Sequence, residues 1–174
     1  MKKPSPMPED KKLIVLIDDD PMTLELVKEL LESKEYRVET FKSFETAKHF
    51  LDALKPDLII SDLIGHDDMN GVEFYLRHIL EKKIQFAIWS GSLDLTSEKG
   101  IQSFGLFLEG MPKDYRVTYD PAKALNQNQV ELIVHDYKNN QKTTFPCFAK
   151  PGSIDDILKY FKLSGFVILY LLRS

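Results

Sequence analysis

The sequence alternates short apolar runs with amphipathic stretches, and this alternation restricts the possible folds more than any other feature. Leu13–Ile17 reads LIVLI, the continuous apolar run of a strand covered on both faces. Asp18, Asp19 and Asp20 end it. Pro21 suits a first helical position and Asp20 its N-cap. From Pro21 to Lys34, the apolar Leu24, Val27, Leu30 and Leu31 mark one helical face. Tyr36–Phe41 alternates as a strand does. Ser43 caps a second helix with Phe44, Ala47, Leu51 and Leu54 on its buried stripe, and Pro56 ends it. Leu58–Ile60 predicts a third strand running into Ser61 and Asp62. A polar loop, a helix over Gly71–Leu80 and a fourth strand over Ile84–Trp89 follow, closed by Ser90 and Gly91. Strands alternating with helices predict parallel βαβ units in a doubly wound α/β sheet. Ligands of such sheets sit beyond the carboxyl ends of the strands. Asp18–Asp20, Asp62 and Ser90 are therefore expected on one rim.

The regularity lapses after Ser90. Within residues 92–144 a helix is expected near Glu98–Leu108, with a turn-like stretch at Asn126 and Asn128. Val130–Val134, a polar turn at His135–Lys142 and Thr143–Phe148 predict a hairpin. Lys150 and Pro151 follow. Ser153 and Asp156 form a capping box before a last helix, with Ile154, Ile157, Leu158 and Phe161 inward. Residues 1–11 are expected to be a flexible lead, residues 12–162 the domain and residues 163–174 an apolar tail. Phe166–Leu172 in that tail is too short for a bilayer. It suits packing on the domain, an added edge strand or a homodimer contact.

Composition narrows the function. The chain has 174 residues with 27 acidic against 23 basic and a net charge of -4. That balance argues against a nucleic-acid binder. One cysteine, Cys147, makes neither an internal disulfide nor a Cys-rich zinc site, and it is expected as a small buried hydrophobe. The start lacks the apolar core of a secretory signal, and no run reaches the ~20 residues of a membrane helix. A cytoplasmic protein, in contact with neither membrane nor nucleic acid, is expected.

The rim would then hold an acidic cluster, one further Asp, a Ser and, after the last strand, Lys150. Packed carboxylates repel, by about 4 kcal/mol per pair at ~4 Å and an effective dielectric of ~20. A hard divalent cation such as Mg²⁺ relieves this, since it takes one or two carboxylates together with a phosphate. A carboxylate can also be the nucleophile toward a phosphoryl group. A lysine then neutralises phosphoryl charge and a hydroxyl donates to it. Gly91 beside Ser90 is expected to leave room for the incoming group.

The runs LIVLIDDDP, PDLIISDL, AIWSGS and FAKPGS resemble the receiver domain of bacterial two-component response regulators, over roughly residues 12–91 and 145–162. The resemblance implies a flavodoxin-like, five-stranded parallel sheet flanked by five helices, here with an insertion between the fourth and fifth strands. It implies Asp62 as phosphoacceptor. It also implies Asp19 as direct metal ligand, Asp18 acting through a metal-bound water, and a third protein ligand from the Ile64 backbone carbonyl. Ser90 would be the switch hydroxyl, and Lys150 would pair with the phosphoryl group, followed by Pro151 through what is often a cis bond. The donor would be a histidine kinase or phosphotransfer protein, and output would pass to a downstream protein target. Direct action on DNA and substrate-level enzyme activity are not expected.

The chain departs from the family pattern in three places. The loop after Asp62, LIGHDDMNG, is one residue longer than usual. Ser90 and Lys150 are far apart, although a crossover needs only about a dozen residues. The switch aromatic is replaced by Cys147, with Phe145 and Phe148 nearby pointing differently. These features favour a receiver-like module that binds without phosphorylation, and the intact Asp18, Asp19, Asp62, Ser90 and Lys150 argue against it. A phosphatase of the haloacid-dehalogenase type fits worse, because Asp18-Asp19-Asp20-Pro21 leads to Met22 where that motif has Thr or Val. His66, Asp67 and Asp68 read as a solvated polar loop, and Trp89 as core.

Overall fold

The computed structural model describes residues 11–95, 97–120, 129–150 and 154–163. The strands are β1 (Leu13–Ile17), β2 (Arg37–Phe41), β3 (Leu58–Ser61), β4 (Gln85–Ser90), β5 (Tyr115–Tyr119), β6 (Gln129–Asp136) and β7 (Gln141–Ala149). The helices are α1 (Pro21–Ser33), α2 (Phe44–Leu54), α3 (Gly71–Phe74), α4 (Glu98–Glu109) and α5 (Ile154–Tyr160). The strands form one sheet in the order β2-β1-β3-β4-β7-β6-β5.

The expected five-stranded parallel sheet is corrected to a seven-stranded mixed one. β2, β1, β3, β4 and β7 run parallel. β6 pairs antiparallel with β7, and β5 antiparallel with β6. The segment expected as an insertion holds α4, β5 and β6. The β6–β7 hairpin keeps its register from Gln129 opposite Phe148 to Asp136 opposite Gln141. Its turn is tied by Asp136, which accepts from the backbone N–H of Lys138 at 2.9 Å and of Asn139 at 3.2 Å. β5, with its sequence YRVTY, is a strand the sequence pattern does not predict. Five residues between two loops carry too little alternation to stand out.

The period of two in each strand divides the core between the two faces of the sheet. Val15, Ile17, Ile59, Phe86, Ile88, Phe145 and Cys147 face α2, α3 and α4. Ile14, Leu16, Leu58, Ile60, Ala87 and Phe148 face α1 and α5. The amphipathic stripes of the helices close both layers: Leu24, Val27 and Leu31 from α1, and Phe44, Ala47 and Leu51 from α2. β1 is buried at all five positions, as its continuous apolar run requires.

The helix expected over Gly71–Leu80 changes pitch. α3 is one turn, followed by a π-helical turn over Tyr75–Ile79 and a 3-10 turn over Leu80–Lys82. This wider turn carries Tyr75, Leu76 and Ile79 into the core. The Tyr75 ring lies 4.2 Å from that of Phe145 and 5.1 Å from that of Phe86. No helix among the described residues is long and apolar enough to cross a membrane. The expected lead over residues 1–10, the turn at Asn126 and Asn128, the Pro151 bond, the Ser153 cap and the tail beyond Leu163 lie outside the described residues.

Candidate functional site

The parallel strands end together, and their C-terminal residues build a cleft. Asp18 follows β1, Asp62 follows β3, Ser90 ends β4 and Lys150 follows β7. Asp18, Asp19 and Asp62 each present a carboxylate oxygen, and these oxygens lie within 4.8 Å of one another. Three hard, negatively charged donors at that spacing repel unless a cation lies among them, and they match what a hard divalent ion takes.

Asp62 stands on a close-packed backbone. The Leu63 N–H donates to its Oδ1 at 2.7 Å, and Ser90 adds a side-chain hydrogen bond. Burial is the largest influence on its carboxyl group and raises its pKa. The Ser90 hydroxyl, Lys150 and the Leu63 N–H oppose that rise, while nearby Asp18 adds to it. The net direction is up. Ser90 itself is buried, and its hydroxyl lies 2.9 Å from that of Ser92.

Lys150 reaches Asp18. Its Nζ donates to Asp18 Oδ2 at 2.7 Å and lies 4.7 Å from the centre of the Trp89 ring. Its backbone N–H donates to the Ser90 carbonyl at 2.8 Å, which continues the β4–β7 ladder by one step. Trp89, expected as plain core, therefore lines the site. Gly91 faces the same lysine, since a Cβ there would stand 3.7 Å from Lys150 Cδ, an ordinary contact. Room at Gly91 is thus room beside Lys150.

The other acidic residues have separate tasks. Asp20 accepts from the Met22 and Thr23 N–H groups and from the Thr23 hydroxyl, which makes it the N-cap of α1. Those hydrogen bonds, led by that of Thr23, lower its pKa. Asp19 Oδ2 lies 3.2 Å from Nε2 of His66, whose side chain is 85% exposed. Asp67 is not merely solvated. It accepts from the Phe44 N–H at 2.5 Å and the Glu45 N–H at 3.2 Å, and so caps α2 from the loop. Asn70 forms a capping box with Glu73. The loop after Asp62 is therefore pinned at both its middle and its end. Replacing Asp67 by Ala is expected to cost about 1 kcal/mol, to be read as a lower midpoint in urea denaturation with unchanged slope.

Ile64 pairs with Asn70 in an isolated antiparallel bridge, in which the Gly71 N–H donates to the Leu63 carbonyl at 2.8 Å. Ile64 is 53% exposed. Gly71 is more than the helix start the sequence predicts, because its Cα lies against the Asp62 carbonyl with Ser61 Oγ alongside. The sequence signal was the Asn-Gly pair closing the polar loop. Nothing in the sequence ties Asp67 to α2, because the residues it caps lie in a distant segment.

Cys147 is fully buried on the face away from Lys150, and burial pushes its thiol pKa far up. It is neither a thiolate nor reachable. Phe145 occupies the same face, its ring tilted against that of Tyr75, whereas Phe148 faces the other layer.

A family model for the response regulator receiver domain matches residues 14–104, just over half of the chain. Among solved structures, the chain is similar to the non-phosphorylated HemR receiver domain from Leptospira biflexa. That match has 21% identity over 88% of this chain and 94% of that one, with a TM-score of 0.51. It is also similar to the N-terminal domain of a response regulator receiver protein from Methanoculleus marisnigri JR1. There the identity is 25% over 53% of this chain and 76% of that one, with a TM-score of 0.44. No curated protein matches the chain.

Proposed function

Because the chain belongs to the response regulator receiver domain family, we propose that it receives a phosphoryl group on Asp62 from a histidine kinase or phosphotransfer protein and signals by protein contact. The observation that carries this is the single cleft in which three carboxylates converge within 4.8 Å beside Ser90 and Lys150. Asp62 is the carboxylate with both a hydroxyl donor and a backbone N–H arranged around it.

In this reading an ionised Asp62 oxygen attacks phosphorus, and the bond from phosphorus to the donor breaks as the new one forms. The Ser90 hydroxyl donates to a phosphoryl oxygen, and the Lys150 ammonium neutralises another. Asp18, Asp19, Asp62 and the Ile64 backbone carbonyl are the groups that would hold Mg²⁺. When bound, the ion supplies positive charge against the phosphoryl oxygens. The test is intact mass after incubation with Mg²⁺ and acetyl phosphate. A gain of one phosphoryl group that EDTA prevents supports the proposal. If no gain appears with this donor or with a phosphorylated kinase, the proposal fails.

Ile64 carries a second expectation. Two residues after Asp62, its exposed apolar side chain offers no hydrogen bond to an attacking water. The phosphoryl state is expected to be long-lived, and Ile64→Asn is expected to speed its loss severalfold. Loss of ³²P from the isolated phosphoprotein measures both. A wild-type half-life of seconds would contradict the expectation.

A further inference from the structure

We propose that Trp89 is a positioning residue for Lys150, an aromatic shelf across which the lysine moves between Asp18 in the resting protein and the phosphoryl group on Asp62. The inference rests on the proposed phosphoacceptor role of Asp62, but the contact itself exists without phosphorylation. Lys150 stands at the end of β7 and Asp18 at the end of β1, with β4 and β3 between them. The lysine nevertheless reaches Asp18 at 2.7 Å. Trp89 lies on the intervening β4. Its ring packs on the α1–α5 side of the sheet, and its centre is 4.7 Å from Lys150 Nζ.

Adjacent strand residues point to opposite faces. Ser90 is therefore turned toward Asp62, while Trp89 is turned beneath the lysine. One short segment of β4 thus supplies both the hydroxyl donor and the support for the cation. The ammonium is only partly wet, with side-chain exposures of 22% for Lys150 and 7% for Asp18. A cation over an indole face gains most where water is partly excluded. The ring face is broad and its attraction changes slowly with lateral position, so the cation can shift along it without losing support. That freedom matters because Lys150 occupies an oxygen of Asp18 in the resting state and has to leave it to meet a phosphoryl group.

The chain has one tryptophan, so the contact can be read directly. In ¹H–¹⁵N spectra of the lysine ammonium groups, the Lys150 resonance is expected to be displaced by the indole ring current. Trp89→Leu should abolish this displacement and Trp89→Phe should largely keep it. With acetyl phosphate and Mg²⁺, Trp89→Leu should slow phosphoryl uptake about tenfold, and Trp89→Phe should restore most of the rate. Tryptophan emission should change when Mg²⁺ and beryllofluoride are added to wild type, and Lys150→Met should remove that change. An undisplaced wild-type resonance would overturn the shelf, as would equal rates in Leu and Phe variants that melt together. If wild type takes up no phosphoryl group while its resonance is displaced, the phosphoacceptor reading fails and the shelf's role in transfer falls with it, although the contact stands.

Discussion

Asp62→Asn is expected to end phosphoryl uptake completely and, at the same time, to raise the melting temperature of the resting protein. The first effect follows from chemistry. An amide oxygen is a poor nucleophile toward phosphorus, and Asn retains the shape of Asp while losing its charge. With acetyl phosphate and Mg²⁺, the mass gain of wild type should be absent from the variant. A gain that persists in the variant would move the acceptor to Asp18 or Asp19.

The second effect follows from burial. The Asp62 carboxyl titrates above its ordinary value, chiefly because desolvation disfavours its charge. Its native state therefore holds a proton more readily than its unfolded state does. Such a group adds stability below its raised pKa and costs stability above it. At neutral pH the variant should melt higher than wild type, and the gap should close as pH falls through the raised pKa. Mg²⁺ should reverse the order, because a cation binding the native cleft stabilises wild type more. If the variant melts lower than wild type at neutral pH without metal, the hydrogen bonds from Leu63 and Ser90 outweigh the desolvation cost.

Much of this cleft was legible in the sequence because strand ends are written in it. An apolar run that stops at an acidic or small residue marks both the strand and the rim, and in a parallel sheet those rims coincide. Asp18, Asp62 and Ser90 could be read in that way. What could not be read were the contacts between distant segments. Asp67 caps α2, a helix that precedes it in the chain. Trp89 looks like core from its composition, and only the register beside β7 places it under Lys150. The sheet was underestimated for a related reason. β5 gains its strand structure by pairing with β6, and pairing leaves no local period in five residues. The π-helical turn after α3 is likewise a matter of tertiary fit, with Tyr75 drawn onto Phe145 of β7.

Gly71 presents the sharpest contrast between a bland sequence position and a constrained structural one. Its backbone conformation is not unusual, because no glycine among the described residues has positive φ. The constraint is steric. A methyl group at residue 71 would run into the Asp62 carbonyl oxygen and stand 3.2 Å from Ser61 Oγ. Those atoms are themselves held, since the Ser61 hydroxyl donates to the Asp62 carbonyl at 2.7 Å. The Asp62 N–H in turn donates to the Ile17 carbonyl at 2.8 Å. A backbone atom so tied cannot yield as a flexible side chain does. Gly71→Ala is therefore expected to destabilise the fold by about 3 kcal/mol, at the upper end for an inserted methyl in a packed site. Whatever strain remains must be relieved by moving α3 or the Asp62 peptide. Moving α3 would strain its Asn70 capping box, and moving the peptide would displace the carboxylate from Ser90. Denaturation in urea measures the first effect and the rate of uptake from acetyl phosphate the second. A variant with wild-type stability and wild-type rate would show that the close approach is not maintained in solution. One that is destabilised but keeps its rate would place the adjustment in α3 and leave Asp62 where it stands.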